Sequence, residues 1–345
     1  MKKQEIIVLD FEEHYPPIDN PLEALLLSLV ESEEYLCSVY TSNEYIVDFA
    51  KEQGILCKYI ANPSTKSVST LFSLMRIVRK KHALIHVFGT RAIEIITPIY
   101  NYLGKAKVIY TFTSIPQITS LSKLQKQYQN VATITAPTRH FVNTMAHVLQ
   151  LPQSRTAVVP IGITKNLYTA TSSDNERLIF TVVAPLEEGS SLLEILDSVS
   201  ILHKANILPE WEVRFIGTGS QFSRIIEYAQ EIDIVDRIAL LGEYPLPSLL
   251  EKTSVLILPV FFWYVSQAIY GGILSHTPIV HTKDPNILDI VNFHHKDVSS
   301  FTQGDATEIR SALRSVLESR HVLEAPIHSI KDTVEAFHTV YRRVL

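Results

Sequence analysis

Four clusters in this 345-residue chain have residue types and spacings that could do chemistry. Gly217-Thr218-Gly219 follows the apolar run WEVRFI, where a glycine turn lets backbone approach a phosphate. The next residues, Ser220-Gln221-Phe222, do not complete a dinucleotide fingerprint, so the turn reads as a strand-to-helix connection at a cleft. In the second cluster, Phe261, Phe262, Trp263 and Tyr264 follow a second apolar run. Trp263 and Tyr264 are flat faces on which a sugar ring could stack, although core packing or partner docking would use the same residues. Ser266 comes just behind them, and Gly271-Gly272 interrupts the helix that follows at a cost of about 1 kcal/mol per glycine relative to alanine. That pair points to close backbone approach or a helix start, not to a ligand. The third cluster is Glu187-Glu188, two carboxylates that would repel a diphosphate. The fourth, His294-His295, lacks the further ligands a zinc site needs, so no metal site is expected. No G-x-S-x-G, P-loop or H-E-x-x-H motif occurs.

These residues need elements to position them. Apolar runs alternate with helical-period stretches from end to end, the pattern of doubly wound parallel sheets. In the first half the strands read EIIVLDF, YLCSVYT, LCKYIA, ALIHVFG, KVIYTFT, ATITAPT and TAVVPI. After Ile163 the polar stretch TKNLYTATSSDNER reads as a linker, and a second series begins: RLIFTVVAP, WEVRFIGTG, RIALLGEY, SVLILPV and PIVHT. Two Rossmann-like domains are expected. Their spans are 1–165 and 166–330, with a terminal helix over 331–345.

Composition bounds the rest. A hydrophobic fraction of 46% and a charged fraction of 19% fit a globular core. The apolar runs fall short of the roughly 20 residues that cross a bilayer, so no transmembrane segment is expected. The opening MKKQEIIVLDFEEHYPP reads as a first strand rather than a signal peptide. Cys37 and Cys57 lack metal or redox spacing and fit reduced thiols, which favours a cytoplasmic protein. Residues 1–168 hold 17 Lys+Arg against 13 Asp+Glu, or +4, and residues 169–345 hold 14 against 23, or −9. Neither half has the basic stripe of a nucleic-acid binder. The run RIVRKKH at 76–82 closes a predicted helix, where cations suit the dipole better than they argue for a membrane surface.

Seven fragments, in order, resemble the GT-B glycosyltransferases and, within them, the retaining glycosyltransferase family four. YPPIDNPLE resembles Y-P-P-x-x-G-G-x-E, and VVPIGIT resembles V-I-P-N-G-I-D. WEVRFIGTG, DRIALLG and LLEKTSVLILPV resemble the strands and glycine turn beside the nucleotide. HTPIVHTKDPNILDIV resembles the G-T-P-V-V strand and its following turn, and DTVEAFHTVYRRVL resembles the helix that crosses back to the first domain. The resemblance implies two Rossmann-like domains facing a cleft, with the acceptor on the first side and a nucleotide-sugar donor, bound without metal, on the second.

The devices that the family uses are missing. Its paired glutamates fall on Trp263 and Gly271, and no Asp or Glu lies between Glu251 and Asp284. Its diphosphate-binding Arg and Lys fall on Pro185 and near Glu188, and no basic residue lies between Arg177 and His203. Its paired glycines are Asn20 and Pro21 here. Thr113, with Ser114 beside it, takes the place of a histidine, and Ile161 and Thr164 replace the Asn and Asp of P-N-G-I-D. Removing one electrostatic contact of this kind commonly costs about 10²–10³ in rate.

The expected function is therefore a glycosyltransferase-like protein that no longer transfers sugar. It would act as a partner subunit of a glycosyltransferase, or as a homodimer, in glycan or cell-envelope assembly, near a glycan or lipid-linked acceptor. Such a protein is expected in the cytoplasm, including peripherally at the inner membrane face. One alternative is an active divergent enzyme in which Glu187, Glu188, Ser266 or Lys283 takes over donor contacts. The other is a glycan- or nucleotide-binding module.

Overall fold

A computed structural model describes residues 3–11, 20–61, 63–64, 67, 70, 73, 75, 77, 83–98, 106–113, 116, 120–170, 177–291, 299–319 and 326–345. The chain forms two compact units, residues 1–161 with 330–345, and residues 162–329. Ser114, the pair His294-His295 and all of the 76–82 run except Ile77 lie outside the described residues.

Unit 1 is built on a parallel sheet with the order β3-β2-β1-β4-β5-β6-β7. Its strands are β1 (Gln4–Asp10), β2 (Tyr35–Thr41), β3 (Leu56–Tyr59), β4 (Leu84–Phe88), β5 (Lys107–Thr111), β6 (Thr133–Ala136) and β7 (Thr156–Val158). Among the described residues its helices are α1 (Pro21–Glu31), α2 (Glu44–Glu52), α3 (Thr90–Ile96), α4 (Leu121–Tyr128) and α5 (Arg139–Val148). Ile6, Ile7, Val8 and Leu9 are all fully buried, because a parallel strand covered on both faces needs an unbroken apolar run.

The last helix, α12 (Ile330–Val344), belongs to this unit and packs Phe337, Val340, Tyr341 and Val344 into the core with Leu22, Leu25 and Leu29 of α1. A buried polar chain ties that helix to the sheet. His86 Nδ1 meets the Tyr341 hydroxyl at 2.6 Å, His86 Nε2 meets Thr111 Oγ1 at 2.7 Å, and Thr111 Oγ1 meets Thr135 Oγ1 at 2.6 Å. Burial lowers the His86 pKa to about 3, so the ring is neutral.

Unit 2 has a six-stranded parallel sheet with the order β10-β9-β8-β11-β12-β13. The strands are β8 (Leu178–Val183), β9 (Trp211–Ile216), β10 (Ile238–Gly242), β11 (Val255–Leu258), β12 (Ile279–Thr282) and β13 (Ser299–Phe301). The helices are α6 (Leu192–Lys204), α7 (Phe222–Glu231), α8 (Leu246–Leu250), α9 (Val265–Leu274), α10 (Pro285–Val291) and α11 (Ala306–Ser319). The sheet core is set by Phe180, Val182, Val213, Phe215 and Ile257, all fully buried.

The polar stretch after Ile163 is not free chain in its described part. A short 3₁₀ turn, Lys165–Leu167, leads to Tyr168, which packs against α9, and Thr169 Oγ1 donates to Glu251 at 3.2 Å. The two crossing segments pair with each other: Ile163 bridges Ser329, and the Ile163 N–H donates to the His328 carbonyl at 3.1 Å. Gly162 allows this approach, since a Cβ there would collide with the Ser329 carbonyl.

Candidate functional site

Ligands of doubly wound sheets lie beyond the carboxyl ends of the strands, where the strand order reverses. In unit 2 that place is between β8 and β11. Three segments end there: the β8–α6 loop at 184–191, the β9–α7 turn at 217–221 and the β11–α9 segment at 259–264.

The glycines of the β9–α7 turn make room for the β8–α6 loop. Gly217 has φ +136°, and a side chain there would strike the Ala184 carbonyl. A Cβ on Gly219 would strike the Leu186 carbonyl and lie 2.8 Å from Glu187 Oε1. Hydrogen bonds then join the two segments. The Leu186 N–H donates to the Thr218 carbonyl at 2.9 Å and the Gln221 N–H to the Leu186 carbonyl at 2.8 Å. The Gly217 N–H donates to the Gly242 carbonyl at 2.9 Å, which uses the turn's first donor inside the fold. The Glu187 carboxylate takes two more donors, the Ser220 N–H at 3.1 Å and the Ser220 hydroxyl. Sequence reasoning did not single out Ser220, because its partner lies 33 residues away.

The far end of the loop is held as well. Ser191 has φ +53°, and its buried Oγ accepts from the Gly304 N–H at 2.9 Å, while the Gln303 amide donates to the Gly189 carbonyl. A groove of about 710 Å³ runs beside this loop, lined by residues 187–194, Gln221, Arg224, Gln303 and Gly304. It presents the carboxylates of Glu187, Glu188 and Glu194. Its cation, Arg224, is already paired with Glu231 at 2.7 Å and Glu227 at 3.8 Å.

Across the sheet, Trp263 is buried with its ring edge-on to Phe261 at 6.4 Å, and Tyr264 is half-buried ahead of α9. Ser266 is buried in the first turn of that helix. Gly271 and Gly272 sit inside α9, not at its start, and side chains pack closely over both. A Cβ at Gly271 would lie 2.6 Å from Tyr168 Cε1 and 2.8 Å from Leu250 Cδ1. A Cβ at Gly272 would lie 2.9 Å from Ile279 Cδ1 and 3.1 Å from Leu256 Cδ2. The helix is thus wedged between the sheet on one side and Tyr168 with Leu250 on the other.

Lys283, at the end of β12, pairs with Glu308 at 2.7 Å. Glu308 also accepts from the Thr302 N–H, and these contacts, Lys283 first, hold its pKa down at about 2. His281 of β12 is buried, which lowers its pKa, and its Nδ1 lies 2.7 Å from the Thr282 carbonyl oxygen. Among the described residues no group of three His, Cys, Asp or Glu could hold a metal ion. None of the described helices is long and apolar enough to cross a membrane.

In unit 1, Asn20 is consumed as a helix cap. Its Oδ1 accepts from the Leu22 N–H at 3.0 Å, its Nδ2 donates to Glu23 at 3.2 Å, and Pro21 stands at the first helical position. Thr113 follows β5, and its Oγ1 is buried without a hydrogen-bond partner among the described residues. The site residues of the sequence reading therefore fall at the carboxyl ends of β5, β9 and β11, in α9, and ahead of α1.

Known structures share this arrangement of sheets. A glycosyltransferase from Rickettsia africae superposes with a TM-score of 0.77 at 11% identity, covering 100% of this chain and 99% of that one. HepE from Anabaena, solved with UDP and glucose, superposes at 0.75 with 13% identity, covering 99% and 95%. Sucrose-phosphate synthase from Thermosynechococcus elongatus superposes at 0.73 with 11% identity, covering 99% of each chain. The fold is GT-B. No family model matches the sequence, and no curated protein matches it. At these identities the GT-B likeness extends to the backbone, while the site must be argued from its own side chains.

Proposed function

We propose that this chain is a non-catalytic GT-B protein, a partner subunit working beside a glycosyltransferase in glycan or cell-envelope glycosylation. The observation that carries the reading is Gly271. The family resemblance places one of the paired glutamates at that position, and the space even its Cβ would need is taken by the Tyr168 ring and Leu250. Trp263, at the position of the other glutamate, is buried against Phe261.

The electrostatics support the same reading. A nucleotide diphosphate approaching the β8–α6 loop would meet Glu187, Glu188 and Glu194, and the groove's Arg224 is already engaged by two carboxylates. Of the residues that an active divergent enzyme would recruit, Lys283 is committed to Glu308 and Glu187 to Ser220. Transfer chemistry needs cations or oriented donors on the leaving group, and a diphosphate would have to compete with these contacts for them.

Calorimetric titration with UDP, UDP-glucose and GDP tests the proposal, the first two because HepE has been solved with UDP and with UDP-glucose. Affinity weaker than about 1 mM, or roughly 4 kcal/mol, is expected for each. Micromolar affinity for any of them would overturn the proposal.

A further inference from the structure

We infer that the edge of β3 is a docking site for an extended segment of a partner protein, one that alternates apolar side chains with Lys or Arg. β3 stands at the end of the unit 1 sheet, and among the described residues it pairs with β2 alone. The Ile60 N–H donates to the Thr41 carbonyl at 2.8 Å, so Ile60 turns its backbone toward β2. Backbone direction alternates along a strand, which turns the N–H and C=O of Cys57 and Tyr59 outward, where an added strand would meet them.

Apolar side chains flank that edge. Leu56 is 69% exposed and Leu36 58%. Both lie on the face of Ser38, Leu36 by the two-residue period of β2 and Leu56 because it stands opposite Ser38 in the register. Tyr59, 44% exposed, offers its ring on the other face. β3 has no proline and one charge, Lys58, so it is open to a strand that brings matching side chains.

Charge selects the occupant. From Glu31 to Tyr59 the chain holds 2 Lys+Arg against 6 Asp+Glu, or −4, and all six carboxylate residues are exposed. The remainder of residues 1–168 holds 15 against 7, or +8. The corner built from β2, α2 and β3 is thus the acidic part of a basic half. A second copy pairing edge to edge would bring two such corners together and be repelled, whereas a strand carrying Lys or Arg gains at the same place. The inference rests on the reading of this chain as a partner subunit, and it names the edge that the other protein takes.

The probe is a blocked heptapeptide of alternating Lys and Val, added to the full chain at low salt. Affinity is measured by calorimetry and amide hydrogen exchange by NMR. A dissociation constant of about 0.1–1 mM is expected, with exchange at Cys57 and Tyr59 slowed at least about fivefold at saturation. The same peptide with Glu in place of Lys should bind at least about tenfold more weakly. Tyr59→Pro removes one outward N–H and keeps the bonds to β2, because proline is accommodated on the solvent side of an edge strand. Leu56→Lys changes an exposed side chain and adds repulsion, so it tests the site even if the proline disturbs the strand. Each should weaken the Lys peptide at least about fivefold.

Three results would overturn the inference: unchanged exchange at Cys57 and Tyr59 under saturating Lys peptide, equal binding of the Lys and Glu peptides, or Lys-peptide affinity that survives Leu56→Lys. A dimer in sedimentation equilibrium that Leu56→Lys dissolves would overturn it too, since the edge would then belong to a second copy. All of these leave the non-catalytic reading standing. Micromolar UDP binding would instead sink that reading and leave the peptide result as it is.

Discussion

His86 makes one sharp prediction about unit 1. Replacing it with glutamine removes a buried imidazole that joins α12 to the middle of the sheet through Tyr341 and Thr111. Burial lowers the folded pKa of His86 to about 3, against 6.5 for the unperturbed ring. Between these values the unfolded chain binds a proton that the folded chain refuses, so folding loses stability as pH falls through 6.5 toward 3 and nothing more below that. At about 1.4 kcal/mol per pH unit, the loss from pH 7 to pH 5 comes to about 2 kcal/mol. Glutamine does not titrate, so His86→Gln loses about 2 kcal/mol less over the same interval, even though its stability at pH 7 is lower by about 1–3 kcal/mol through the disturbed Tyr341 partner. Urea unfolding followed by far-UV circular dichroism at both pH values measures this. Tryptophan fluorescence reports on unit 2 alongside it, because Trp211 and Trp263 both lie there. Equal pH dependence in the two proteins would refute the argument that His86 is held neutral by burial.

Two further substitutions test the packing around the candidate site. Gly217→Ala forces a side chain onto the Ala184 carbonyl at a positive φ and should destabilise unit 2 by about 2–4 kcal/mol, read from the tryptophan-detected urea midpoint. A loss below about 0.5 kcal/mol would mean that the turn is not held against the loop as described. Gly271→Ala gains helix propensity of about 1 kcal/mol and loses about 1–3 kcal/mol to overpacking against Tyr168 and Leu250. Adding Tyr168→Ala should therefore make the same Gly271→Ala change less costly; additivity of the two substitutions would refute the contact.

Much of the fold was legible because parallel strands buried on both faces need unbroken apolar runs. YLCSVYT reads directly as β2, and LIFTVV gives β8 within the run RLIFTVVAP. β13 escaped, since Ser299–Phe301 is three residues long and mostly polar, and its place in the sheet is set by pairing with β12. The site was legible mainly as absences. That carboxylates are missing around Trp263 and Gly271 is a fact of composition, readable one residue at a time. What stands in their place is set by partners distant in sequence, Tyr168 against Gly271 and Glu187 against Ser220, and no periodicity links such pairs. Asn20-Pro21, read from the sequence only as the replacement of a glycine pair, is in the structure a cap followed by a proline at the first helical position.

The central claim is that the donor side of this GT-B fold no longer takes a nucleotide sugar, and the most direct test is calorimetric titration of the full chain with UDP-glucose. The account predicts binding weaker than about 1 mM, with UDP and GDP no tighter. A micromolar dissociation constant for any of the three would contradict it.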